Sequence, residues 1–383
     1  MKIFLKKIII FFIPIILILS FPILILYGSK ESFNNINDEI SNFNKNRYLI
    51  GYVYNEQNYK YLKYKTILSQ PKKHIWTLGS SRVLAFREEM FDSSFYNAGY
   101  TISSLTDFKQ FIKSIPVDKY PKILIMGLDQ WMFNENWDSL NKEIVKDFSI
   151  NTTIDYNKQF NNILYICYKV YYDYFINKKI RINSLIETNN NFTPIGLNAF
   201  INSKGFRNDG SFYYGTQISK LLKNDNTVDD FLYKDTFKRI ERGDRSFEYA
   251  SNINPKSLVI LDSFLNFCKQ NDIEVIAFTP PFADAVYKKM KESDNYKYLI
   301  YLISKIRPIF NKYKFEFYQF NNMNSCNSND SETIDGFHGS ERTYLKLLLE
   351  ILSKQSILNM SCNSSRLKED LNNGINRYLI YSY

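Results

Sequence analysis

The chain has 383 residues, 45 % of them apolar and 23 % charged, a balance that excludes a disordered polymer and fits a folded globular protein. Its net charge of +10 comes from 49 basic and 39 acidic residues. They are scattered among one another with no recognisable basic module, which argues against nucleic-acid binding.

Residues Ile8 to Tyr27 form an uncharged apolar run of the length that crosses a bilayer. Lys2, Lys6 and Lys7 precede it, and the positive-inside rule then keeps the N-terminus in the cytoplasm and exports the remainder. The run is longer than a signal-peptide core and lacks a small-residue cleavage site at its end. Residues 1–29 are therefore expected to be an uncleaved single-pass anchor in the cell membrane, with Pro14 and Pro22 able to kink it. Residues 30–70 are polar, with helical spacing at Ile36, Ile40 and Phe43, and read as a membrane-proximal stalk.

From His74 the pattern alternates strand and helix. His74 to Leu78 is a short apolar strand that feeds Gly79-Ser80-Ser81, and a helix is expected over Arg82 to Met90. Phe95 to Ala98 is a second strand, Ser103 to Ile115 a helix, and Lys122 to Leu128 a continuous apolar run of the kind buried on both faces of a parallel sheet. The rhythm lapses over roughly 134–254, which reads as an insertion, a lid or substrate-binding subdomain. It resumes with a helix through Leu258, Leu261, Phe264 and Leu265. A strand at Ile273 to Thr279, a helix at Tyr296 to Tyr313, a strand at Phe315 to Phe320 and a closing helix at Tyr344 to Leu352 follow. The alternation predicts an α/β fold with a central parallel sheet, a domain over 71–355 and a loosely packed tail over 356–383.

Two places carry chemistry. Ser81 stands where a parallel strand ends and a helix is expected to begin, the edge at which α/β sheets place ligands and where free N–H groups stabilise an oxyanion. Only two histidines exist, His74 and His338. His74 precedes its strand and reads as a surface residue. His338 follows Asp335 by three residues in a loop after the last strand. A serine nucleophile needs a neutral imidazole as base and a carboxylate to fix that imidazole's tautomer. The four cysteines, Cys167, Cys268, Cys326 and Cys362, contain no C-x-x-C, so neither a metal site nor any other cofactor is indicated. Export would allow Cys326 and Cys362 to bridge, and the sequence leaves that open.

In order and spacing these motifs resemble the SGNH/GDSL hydrolase superfamily. Its first block is similar to Gly79-Ser80-Ser81 and its last to Asp335-Gly-Phe-His338. The second block is similar to Phe95 to Ser103, with Gly99 present and Ile102 near the place of a second glycine. The third is similar to Ile123 to Asp129, with Asp129 in place of an asparagine. The resemblance implies an SGNH-like, flavodoxin-like three-layer fold with Ser81, His338 and Asp335 as triad. Gly99, Asp129 and Arg82 would be oxyanion or supporting residues. With an N-terminal anchor it looks most like the exported SGNH-like proteins of bacterial envelope-polymer modification, similar to those of alginate O-acetylation and teichoic-acid D-alanylation. The implied function is a serine esterase or O-acyltransferase acting on a cell-envelope polysaccharide or polymer, with a membrane-bound O-acyltransferase as partner. The alternative is a non-catalytic SGNH-fold binding partner of such an enzyme.

An ionised Asp129 accepts hydrogen bonds and cannot donate to an oxyanion. Because Asp129 and Arg82 both follow strands of a parallel sheet and should lie at the same carboxyl edge, the two are expected to form an ion pair beside Ser81.

Overall fold

The computed structural model describes residues 2–33, 35–43, 45–137, 156–186 and 191–383. The chain divides into two compact units. The larger comprises Leu62–Ser149, Asp209–Phe212 and Gln217–Tyr383, and the smaller Met1–Tyr61, Ile150–Asn208 and Tyr213–Thr216. The stretch expected as one insertion, over 134–254, is thus shared between the units, and so is the expected stalk. Residues 138–155 and 187–190 of that stretch lie outside the described residues.

The larger unit is an α/β fold with a five-stranded, all-parallel sheet. Its strands are β1 (Ile75–Leu78), β2 (Phe95–Asn97), β3 (Ile123–Gly127), β4 (Glu274–Thr279) and β5 (Glu316–Gln319), in the spatial order β2-β1-β3-β4-β5. Every residue of β1 and β3 is buried, as expected of strands covered on both faces. On one face, Ile75, Ile123, Ile125, Ile276 and Phe278 share a core with Tyr344, Leu345 and Leu348 of the helix Glu341–Leu352. On the other side, the helix Pro255–Gln270 packs on β4 and against the helices Leu105–Lys113 and Tyr298–Tyr313, with the Phe108 and Phe264 rings 5.5 Å apart. Pro255 opens its helix where a missing N–H costs nothing, and the Asn254 side chain accepts the Lys256 N–H.

Two expectations are corrected here. Arg82 to Met90 is not one helix but two 3-10 turns, Ser81–Val83 and Glu88–Met90, with Arg87 extended between them. The reason is Asn97 on β2, whose amide donates to the Val83 and Phe86 carbonyls at 2.9 and 3.0 Å and so replaces helical donors. Residues 356–383 are no loose tail. Leu358, Cys362, Leu367 and Ile380 belong to the sheet's core, and Glu341 accepts the backbone N–H groups of Ile380 and Tyr381. Cys326 and Cys362 are both buried, and all four cysteines are free thiols.

In the smaller unit the strand Tyr48–Ile50 pairs with Thr193–Ile195 and with Phe206 of Gly205–Phe206. The N-terminal helix, Lys2–Gly28, contains Pro14 and Pro22 and bends by 43° between Ile3–Ile18 and Ser20–Gly28. Among the described residues no single helix is long and apolar enough to cross a membrane; these two arms together meet that length and composition.

Candidate active site

The strand order reverses between β1 and β3, so a crevice is expected at their carboxyl ends, where Ser81 and Asp129 stand. Ser81 opens the three-residue turn that follows β1, and Ser80 caps that turn by accepting the Arg82 N–H at 3.2 Å. A Cβ at Gly79 would lie 2.9 Å from Val83 Cγ1 and 3.2 Å from the Gly127 carbonyl, so the junction requires glycine. A turn this short brings little macrodipole. What it offers an oxyanion is the Ser81 N–H, which as the first of the turn has no acceptor within it.

The loop after β5 delivers the other two groups. Asp335 Oδ1 accepts the N–H groups of Phe337 and His338 at 3.0 and 2.8 Å, which folds the loop back on itself. Its other oxygen meets His338 Nδ1 at 2.7 Å, and His338 Nε2 meets Ser81 Oγ at 2.8 Å. Burial raises the Asp335 carboxyl. The nearby His338 and the hydrogen bonds from its ring and from two backbone N–H groups outweigh that, and hold the carboxyl below its ordinary range. The side chains of His338 and Asp335 keep 13 % and 16 % of their surface exposed, so the imidazole is screened yet reachable. Residues from the expected insertion buttress this loop. Asp230 accepts the Gly336 N–H at 3.0 Å, and the Phe247 ring lies 6.3 Å from that of Phe337.

Arg82 is fully buried and makes the expected pair with Asp129, at 3.3 Å. Its fork does more. Nε donates to the Phe337 carbonyl at 2.9 Å, one amine to Gln130 Oε1 at 2.9 Å and the other to the Pro280 carbonyl at 2.7 Å. The guanidinium lies over the Phe282 and Trp131 rings, 4.3 and 5.2 Å from their centroids, and Tyr344 donates its hydroxyl to the Arg82 carbonyl. One side chain thereby joins the loops after β1, β3 and β4 to the residue before His338. Burial pushes the Asp129 carboxyl above its ordinary range, opposed by Arg82, the Ser80 hydroxyl and His338.

Gly99 N–H is committed to Asn97 Oδ1 at 2.9 Å, and a Cβ there would stand 2.6 Å from Val83 Cγ2. Gly99 therefore supports the Ser81 turn instead of presenting a free donor. His74 lies at the far end of β1, where its backbone N–H donates to Ser94. Sequence reasoning gave no role to Asn97, Gln130, Pro280, Phe282 and Tyr344; the signals for them were Asn97 two residues before Gly99 in the second block, Gln130 adjoining Asp129 and Pro280 ending a strand. Among the described residues no three or more His, Cys, Asp or Glu side chains are grouped to hold a metal ion. Comparison of the chain with protein-family models, with curated proteins and with solved structures found no match.

Proposed function

We propose that this protein is a membrane-anchored, exported serine esterase or O-acyltransferase of SGNH/GDSL type, acting on a cell-envelope polysaccharide or polymer. The observation that carries the reading is the continuous relay Asp335–His338–Ser81, at 2.7 and 2.8 Å, on the carboxyl edge of the sheet where its strand order reverses. That order, β2-β1-β3-β4-β5, is also the flavodoxin-like one.

In this reading Ser81 Oγ attacks the carbonyl of an acyl ester as its proton passes to His338 Nε2, and Asp335 stabilises the imidazolium. The Ser81 N–H faces the charge on the tetrahedral oxygen. Collapse expels the donor's alkoxide, which takes the proton from His338, and leaves the acyl group on Ser81. Water or a glycan hydroxyl then repeats the sequence in reverse roles. The apolar run from Ile8, preceded by three lysines, supports an anchor that leaves the site outside the cell.

A second reading, a non-catalytic binding partner of a membrane O-acyltransferase, is favoured by one observation. Gly99 N–H is already donated to Asn97, and the buried Asp129, paired with Arg82, is a carboxylate where the related block carries an asparagine. A fluorophosphonate probe on the full-length protein in detergent decides between them. The enzyme reading expects labelling of the wild type and none of Ser81→Ala. Equal labelling of both would sink the assignment.

A further inference from the structure

The smaller unit carries an apolar face that none of its described residues covers. The helix Tyr156–Tyr171 continues into a π turn, Tyr172–Ile176. At 100° per residue Leu164, Tyr165 and Tyr168 fall on one side of the α-helix, and Tyr172, Phe175 and Ile176 of the π turn continue the apolar run. All six are exposed, from 41 % at Tyr172 to 75 % at Leu164. The opposite face is used inside the unit: Ile166 and Val170 are buried with Ile25 and Leu26 of the N-terminal helix, and Asp173 accepts the Tyr54 hydroxyl at 2.8 Å.

What covers the stripe is indicated by what lies beside it. The Phe21 ring of the N-terminal helix sits 5.8, 5.0 and 6.0 Å from those of Tyr171, Tyr174 and Phe175. The stripe therefore begins where the apolar N-terminal helix meets the rest of the unit. It is rich in tyrosine, the residue type that collects at the headgroup level of bilayers. The chain leaves it through exposed Lys178, Lys179 and Arg181, which suit anionic headgroups.

We propose that the helix ending at Ile176 is a second membrane contact, its Leu164–Ile176 stripe set into the headgroup–acyl boundary of an anionic bilayer beside the N-terminal helix. The proposal rests on the anchoring reading above and goes beyond it, since it fixes the smaller unit against the lipid surface.

The test is spin-label accessibility in full-length protein, reconstituted in vesicles of phosphatidylglycerol and phosphatidylethanolamine. Single labels are placed by Tyr168→Cys, Phe175→Cys and Leu17→Cys in a Cys167→Ser background; the other three cysteines are buried. Labels at 168 and 175 are expected to collide with oxygen, to be shielded from an aqueous nickel complex and to lie shallower than the label at 17. Free collision with nickel at 168 and 175, with lipid at 17, overturns this proposal alone. Water at all three positions overturns it together with the anchoring reading. Labels at 168 and 175 that are immobilised and shielded from both reagents show a protein partner on the stripe, which also overturns it.

Discussion

Arg82 is a heavily committed side chain of the larger unit. A buried guanidinium is tolerable only when its charge and its donors are met, and here Asp129, Gln130 and the carbonyls of Phe337 and Pro280 meet them. Removing the charge in Arg82→Met leaves Asp129 buried without a cation and is expected to cost about 3–5 kcal/mol, read as a lower urea midpoint. Arg82→Lys restores the charge but not the fork, because an ammonium is a point donor that cannot reach three acceptors in three loops. Lysine is therefore expected to recover part of the stability and little of the turnover that the proposed function expects, since the Phe337 carbonyl and with it His338 then lose the Arg82 Nε donor. Full recovery of turnover by lysine would show that Arg82 supplies only charge.

The turn that carries Ser81 rests on three strand ends. Glycines at 79, 99 and 127 all face Val83, and a Cβ at any of them would crowd its methyl groups. Gly127→Ala is expected to push Val83 outward, to cost about 1–3 kcal/mol as overpacking does, and to shift Ser81 from its 2.8 Å contact with His338. Slower labelling of Ser81 by an active-site probe, in protein that remains folded, is the measurement. The strands beneath were legible in the sequence because a run such as Ile123 to Met126 announces burial on both faces. So was the order of Ser81, Asp335 and His338, since each is identified by residue type. The turn was not. The Val83 and Phe86 carbonyls are held by Asn97, fourteen and eleven positions further along, and side-chain capture at that distance leaves no periodic trace. Pro280 and Phe337 act through backbone oxygens, which any residue possesses. The segment after Ser356 looked loose because it follows the closing helix of the strand–helix alternation; what fastens it is Glu341 accepting two N–H groups near the end of the chain.

The proposed anchoring has a consequence for topology. With Lys2, Lys6 and Lys7 retained inside, a reporter that works only outside the cytoplasm and is fused near residue 60 is expected to be active. An inactive, stably expressed fusion would overturn the export of both units. The same architecture also governs the order in which the chain can fold. The middle of the sheet is the pairing of β3 with β4, Ile123 to Gly127 against Glu274 to Phe278, and residues 128–273 lie between them. Until β4 emerges from synthesis or translocation, β3 exposes an unpaired edge of wholly apolar sequence, the kind that recruits other chains. Pairing over such a separation is slow because loop closure precedes any gain. Ser81 is therefore made long before His338. While residues 128–273 are made, the nascent chain carries half a sheet and no relay, and its hazard in that interval is aggregation, which a holdase that shields β3 would relieve.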